Sequence, residues 1–209
     1  MCNFCEEFAS RHQGGAEIEL TMFFADVRGS TTLAELMSIH DFSQLINRFY
    51  KVATDVLIRT DALIDKLIGD EVTGMYLPGY AGKNHAGRAF GAALDLLRLT
   101  GHGAGEGPWV PVGIGIHTGV AFVGAVGSAD GVTDITALGD APNVAARLAA
   151  QAAVGEILIS ETSTAAARLK LERYKLRHLK LKGRNDPVNA RAVSFRDYVA
   201  MPSAPGFGG

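Results

Sequence analysis

Two aspartates, Asp26 and Asp70, stand where chemistry would begin. Met22-Phe23-Phe24-Ala25 runs into Asp26 and then into the small-residue turn Arg28-Gly29-Ser30-Thr31. Leu63-Ile64-Asp65-Lys66-Leu67-Ile68 runs into Gly69-Asp70. A carboxylate closing a buried strand face costs several kcal/mol unless a cation meets it. Each aspartate also has a plainer reading, Asp26 as a turn cap and Asp70 as half of a Gly-Asp hairpin turn. If the two strand ends are neighbours, the carboxylates converge, and two converging carboxylates are the minimum for holding two divalent ions at a phosphoryl-transfer site. Thr32-Leu33-Ala34-Glu35 has capping-box spacing, so an acid beside a helix N-terminus could hold a metal that carries phosphates.

Further along, Asn143 and Arg147 are four apart and share one helix face, with Val144 and Leu148 on a separate apolar stripe. Arg147 could grip a phosphate bidentately and Asn143 could orient a sugar hydroxyl. The plainer alternative is a surface polar pair. His117, in a Gly-rich stretch, reads as a turn or core histidine or as a general base. Cys2 and Cys5, with His12 downstream, read as two free thiols or as part of a metal site that a second chain would complete.

The elements that must position these residues fit one large domain. The chain has 209 residues, 47% of them hydrophobic and 20% charged, which indicates a soluble globular protein with a real core. A net charge of −2 gives no case for nucleic acid or an anionic membrane surface as partner. No apolar run reaches the roughly 18 residues of a spanning helix. Two cysteines cannot build a disulfide framework, so a cytoplasmic location is expected.

Ile18, Leu20, Met22 and Phe24 alternate along a first strand over 17–27. Helices are expected over 31–39, 41–59 and 82–100, with a tight hairpin around Gly69-Asp70 between them. Val110 to Val126 reads as a second hairpin, with Gly113, Gly115 and Gly119 on one face, where another backbone or a ligand would approach closely. A strand over 132–138 leads to a helix opened by Gly139-Asp140-Ala141-Pro142, with Asp140 as its cap and Gly155 as its end. A strand at 156–159, a short helix at 161–168 and strands at 173–181 and 188–195 close the chain. The expected layout is a flexible leader over 1–16, a catalytic domain over 17–197 and a flexible tail over 198–209. The order of elements makes an α+β protein, an antiparallel-rich sheet with flanking helices.

Read together, the stretches Phe24 to Thr31, Asp65 to Asp70, Gly115-Ile116-His117-Thr118-Gly119 with Gly124 to Ser128, Thr136 to Asp140 with Asn143 to Leu148, and Leu181-Lys182-Gly183 resemble the class III nucleotidyl cyclase catalytic domain. They occur in the family order. The resemblance implies a ferredoxin-like, palm-type fold and a head-to-tail homodimer with its active sites at the interface. It implies that Asp26 and Asp70, with the Val27 carbonyl, hold two Mg²⁺ or Mn²⁺ ions per site, and that the backbone of Arg28, Gly29, Ser30 and Thr31 cradles the triphosphate. The other subunit would supply Lys66 and Thr136 for the base, Asn143 and Arg147 for the ribose and transition state, and Lys182 for the outer phosphates.

The activity so implied is adenylate cyclase, in which the ribose 3′-hydroxyl of ATP attacks the α-phosphorus in line and releases pyrophosphate. Adenine offers N1 as acceptor and its amino group as donor. Lys66 matches the first and a Thr136 oxygen the second. Guanylyl cyclases of the family typically carry Glu and Cys at these places. The Thr version resembles a subgroup that includes bicarbonate-responsive enzymes, so bicarbonate is a candidate effector, alongside an upstream regulatory domain of the kind family members often carry. Alternatives are a guanylate cyclase and a catalytically weak cyclase-like domain used for nucleotide binding or dimerisation. Gly113 stands where some members carry a phosphate-binding Arg, and Pro142 where a β-branched residue is usual.

Overall fold

The computed structural model describes residues 14–127, 133–180 and 187–200. Cys2, Cys5, His12, Lys182 and all or nearly all of the expected leader and tail lie outside the described residues.

Strand β1, Gly15–Val27, is the spine of the sheet. It pairs antiparallel with β3, Glu71–Tyr76, on one side and with β4, Val112–Gly127, on the other. Strand β2, Leu63–Ile68, forms the outer edge beside β3. Beyond β4 the order continues β6 (Glu156–Ser160), β8 (Val188–Ser194) and β7 (Lys175–Leu179), and the β4–β6 pairing is parallel. Strand β5, Thr133–Leu138, pairs with the far half of β4. The fold is therefore the antiparallel-rich α+β sheet expected.

Both faces of β1 are covered. Phe23, Ala25 and Val27 pack under helix α2, Ile39–Arg59, and helix α4, His85–Leu99, which contribute Ile46, Phe49, Leu57, Phe90, Leu94 and Leu97 to one core. Leu20, Met22 and Phe24 face the other way, against Ala141, Ala145 and Ala149 of helix α5, Asp140–Gln151. Val144 and Leu148 of the same helix pack on Leu158, Val188 and Ala190. So α5 carries two apolar stripes and clamps the second face of the sheet from β1 to β8. Short helices α1 (Ser30–Leu36), α3 (Pro78–Ala81), α6 (Glu161–Ala166) and α7 (Phe195–Val199) complete the chain.

Several sequence expectations are corrected. The stretch from 110 to 126 is no hairpin. It is one long strand, because β1 opposes it from Gly15↔Gly124 to Val27↔Val112, and Gly119 simply pairs with Leu20 in that ladder. His117 accordingly lies in mid-strand, buried, and not in a turn. The capping box at Thr32 is not used: α1 starts at Ser30 behind Gly29, whose φ of 69° needs glycine, and no side chain caps it. Asp140 is the first residue of α5 and not its cap, and α5 ends at Gln151, before Gly155.

The glycines of β4 do meet another backbone. A side chain at Gly115 would collide with the Ala145 carbonyl and the Ala149 amide of α5. This close approach sets the height at which α5 rides over the sheet.

Thr21, buried in mid-β1, would be costly without partners. Its hydroxyl lies 2.8 Å from His85 Nδ1 and 2.7 Å from Thr118 Oγ1, and Thr118 donates onward to Ser163 at 2.9 Å. This polar row ties β1, α4, β4 and α6 together.

Candidate functional site

Asp26 ends the face of β1 that looks toward α5, opposite Gly113 of β4 and Glu71 of β3. The β2–β3 turn folds back onto that strand end: Val27 donates its N–H to the Asp70 carbonyl at 3.1 Å. Tyr50 of α2 donates to the Gly69 carbonyl at 2.9 Å and holds the turn from behind. Asp26 and Asp70 thus meet at one corner of the sheet although 44 residues separate them (70 − 26).

Arg28 crosses this corner. Its guanidinium pairs with the Asp26 carboxylate and donates to the Ala150 carbonyl in the last turn of α5 at 2.7 Å, where the helix dipole is negative. Its Cδ runs over Gly113, and a side chain there would press on it. The Ala152 carbonyl and Cβ crowd the same position. Burial lowers the Arg28 pKa, while Asp70 and Glu71 act to raise it. Burial raises the Glu71 carboxyl, and Asp70 raises it further. Tyr50 is likewise raised, by burial first and then by Asp70.

The corner fits hard cations. Its donors are oxygens, from Asp26, Asp70 and the Val27 backbone, and three carboxylates surround one arginine, which already acts as a cation on Asp26. No three His, Cys, Asp or Glu side chains form a metal-binding group among the described residues. Ions held here would complete their shells with backbone, water or phosphate oxygens, as Mg²⁺ commonly does.

A second cluster forms on the edge of the sheet. Strand β2 is irregular: Ile64 pairs with Gly74 and Lys66 with Thr73, so Asp65 is an extra residue in a β-bulge. The Lys66 amide donates to Thr73 Oγ1 at 2.9 Å, and Thr73 donates to Asp65 Oδ2 at 3.3 Å. Across the gap, alternation along β5 puts Asp134 and Thr136 on one face. Lys66 Nζ pairs with Asp134 at 2.8 Å. Burial raises the Asp65 pKa, while Thr136, Lys66 and Thr73 act to lower it. Hydrogen bonding to Asp134 raises the Lys66 pKa.

Lys66 and Thr136 therefore lie on strands that meet within one chain, Lys66 against Asp134 and Thr136 against Asp65. Asn143 and Arg147 lie on α5, Asn143 exposed and donating to the Gly139 carbonyl at 2.8 Å, Arg147 half-buried. Pro142 lies within the first turn of α5, which begins at Asp140. Gly29, Ser30 and Thr31 form the exposed or half-exposed start of α1. Sequence reasoning missed the side-chain role of Arg28 and missed Asp65 and Asp134. Asp65 stands beside Lys66 in the sequence, but the bulge that turns both toward β5 has no local signal.

Among the described residues no helix is long and apolar enough to cross a membrane. The family profile described as "Adenylate and Guanylate cyclase catalytic domain" matches residues 15–191. An adenylate cyclase of Anabaena cylindrica is 32% identical over 133 residues, 62% of this chain and 26% of that protein. The chain spans less than a third of the length of the curated relatives it matches. Among solved structures, the guanylyl cyclase Cya2 superposes with a TM-score of 0.77 at 26% identity, covering 87% of this chain and 94% of that one. The adenylyl cyclase CyaB from P. aeruginosa superposes with a TM-score of 0.73 at 27% identity, covering 86% of this chain and 96% of the other.

Proposed function

This chain belongs to the adenylate and guanylate cyclase catalytic-domain family, and from that premise we propose that it is an adenylate cyclase, converting ATP to 3′,5′-cyclic AMP and pyrophosphate as a homodimer. The observation that carries the choice of ATP is the meeting of β2 and β5, where Lys66 pairs with Asp134 and Thr136, two residues along β5 from Asp134, bears on Asp65 beside Lys66. A lysine donor suits adenine N1, and a hydroxyl oxygen suits the adenine amino group. Guanine would set its own N1–H against the lysine.

In this reading Asp26, Asp70 and the Val27 carbonyl hold two Mg²⁺ or Mn²⁺ ions, and Arg28 must release Asp26 as they bind. When bound, the ions supply Lewis-acid activation of the ribose 3′-hydroxyl and neutralise charge on the phosphates. The backbone of Arg28, Gly29, Ser30 and Thr31 receives the triphosphate oxygens at the start of α1. Lys66 and Thr136 of the second subunit fix the base. Asn143 of that subunit orients the ribose, so that its hydroxyl oxygen lies in line with the α-phosphorus. Arg147 and Lys182 offset the negative charge that grows on the departing pyrophosphate. Bicarbonate as an effector, and an upstream regulatory domain, belong to this proposal as its outer edge.

The test is a product assay of the purified protein with ATP or GTP at equal concentration and with Mn²⁺ or Mg²⁺, across protein concentration. Cyclic AMP as the main product, with specific activity rising with protein concentration, is the expected result. Cyclic GMP as the main product makes the protein a guanylate cyclase, the alternative consistent with its likeness to a guanylyl cyclase structure.

A further inference from the structure

A threonine is a poor discriminator between adenine and guanine. Its hydroxyl carries one donor and two acceptor lone pairs and turns freely, so it accepts from an amino group or donates to a carbonyl with equal ease. Something must fix the direction of that proton before Thr136 can favour ATP.

Asp65 is placed to do so. The β-bulge in β2 turns Asp65 and Lys66 to the same side, toward Thr136 and Asp134 of β5. The Asp65 carboxyl is anchored, since Oδ2 accepts from Thr73, which itself accepts from the Lys66 amide. Oδ1 is buried with no hydrogen-bond partner among the described residues. An orphaned buried carboxylate oxygen costs about 1–3 kcal/mol or more, so it draws any donor within reach. From β5 the hydroxyl of Thr136, itself buried, bears on this carboxyl group. A carboxylate can only accept.

We propose that Asp65 is a positioning residue for nucleobase choice: it takes the Thr136 hydroxyl proton as a hydrogen bond and leaves Thr136 with only a lone pair to offer the base. Thr136 then accepts from the adenine amino group and faces the guanine carbonyl with a lone pair, which repels it. Lys66 supplies the donor and Asp65, through Thr136, supplies the acceptor. One bulge thus sets both halves of the pattern.

The inference rests on the ATP reading above, and the two fail separately. Wild-type protein that prefers GTP overturns the reading. An ATP preference that survives loss of the Asp65 carboxylate overturns only the inference.

The experiment measures kcat and KM for ATP, GTP and purine riboside triphosphate, which lacks the 6-amino group, in the Mn²⁺-loaded enzyme and its variants. Asp65→Asn presents an amide donor to Thr136 and frees the hydroxyl proton for the base. The ATP-to-GTP ratio of kcat/KM is expected to fall roughly tenfold, mostly through KM, the usual scale for one misdirected hydrogen bond. Purine riboside triphosphate should be turned over by wild type and variant alike. In a Thr136→Val background, Asp65→Asn should leave the ratio unchanged. Should the asparagine variant fail to fold, Asp65→Ala frees the hydroxyl to turn and should bring the ratio toward unity. Equal losses on all three nucleotides, an unchanged ratio, or a shift that persists without the Thr136 hydroxyl would each overturn the proposal.

Discussion

Val27 donates its N–H to the carbonyl of Asp70 at 3.1 Å, and this bond carries the β1–β3 pairing on from Asp26 to the turn that holds Asp70. The bond is backbone to backbone, so it survives any change to the two carboxylates. Asp26→Asn and Asp70→Asn should therefore leave the fold intact while removing metal ligands. Each is expected to lower cyclase activity by about a thousandfold, the scale of losing a principal electrostatic contact to the transition state. Mn²⁺ titration followed by electron paramagnetic resonance should show weakened binding in both, beside an unchanged circular dichroism spectrum. Wild-type Mn²⁺ affinity in either variant would remove that aspartate from the metal site.

Arg28 makes the opposite prediction at the same corner. Its guanidinium neutralises Asp26 and reaches the last turn of α5, so it both stabilises the fold and competes with a divalent ion. Arg28→Ala should bind Mn²⁺ more tightly than wild type in the absence of nucleotide, because three carboxylates are then left without their cation. The same change should cost about 1–3 kcal/mol in chemical unfolding, since a charge-assisted hydrogen bond to Ala150 is lost. Weaker Mn²⁺ binding in the variant would mean that Arg28 supports the ion and does not compete with it.

Sharing of sites between two chains is tested by mixing inactive variants. In the proposed dimer, one chain gives each site Asp26 and Asp70, and the other gives Lys66, Thr136, Asn143 and Arg147. Asp26→Asn mixed with Arg147→Ala then yields one intact site in each mixed dimer. Random exchange should restore about a quarter of wild-type activity. Lys66→Ala mixed with Arg147→Ala should restore none, because both residues come from the same side of a site. Recovery in the second mixture, or none in the first, would rule out this division of residues.

The parts of the site carried by local pattern were legible from sequence, and the parts made by pairing were not. Asp26 and Asp70 each close an apolar strand beside a small-residue turn, and Val144 and Leu148 mark the buried stripe that leaves Asn143 and Arg147 outside it. The continuous strand through Gly119 was hidden because glycines suggest turns when their partner is unknown, and the partner is β1, almost a hundred residues away in sequence (119 − 20 = 99). The Asp65 bulge was hidden for the same reason. It exists only as a mismatch between β2 and β3, and its meaning comes from Thr136 on a third strand. Arg28 was read for its backbone because its side-chain partners, Asp26 and Ala150, lie on different elements.

The seating of α5 gives a prediction that links packing to function. Gly115→Ala would drive a Cβ into the Ala145 carbonyl and Ala149 amide, and rigid backbone on both sides leaves nothing that can yield cheaply. A loss of about 1–3 kcal/mol or more is expected in chemical unfolding, and activity should fall as well, because the displaced helix carries Asn143 and Arg147. Gly91→Ala in α4 is the control: its side chain would enter open space, so it should raise stability by about 0.5–1 kcal/mol with activity unchanged. Wild-type stability and activity in Gly115→Ala would mean that α5 has room to ride higher.

Acid should loosen the fold through its buried histidines. Burial lowers the pKa of His85, whose ring meets the Thr21 hydroxyl in the core, and burial also lowers that of His102. Both bind their proton more readily when the chain is unfolded. Their stabilisation is complete above the unfolded value of 6.5 and is lost as pH falls through the lower folded values. Asp65 and Glu71, raised by burial, act in the opposite sense and offset part of the loss. The melting temperature should therefore drop between about pH 7.5 and about pH 5.5, by several degrees for each kcal/mol lost. His85→Gln keeps a polar partner for Thr21 and removes the titration, so its melting temperature should fall less over the same interval. An identical fall in the variant would assign the acid sensitivity to His102 alone.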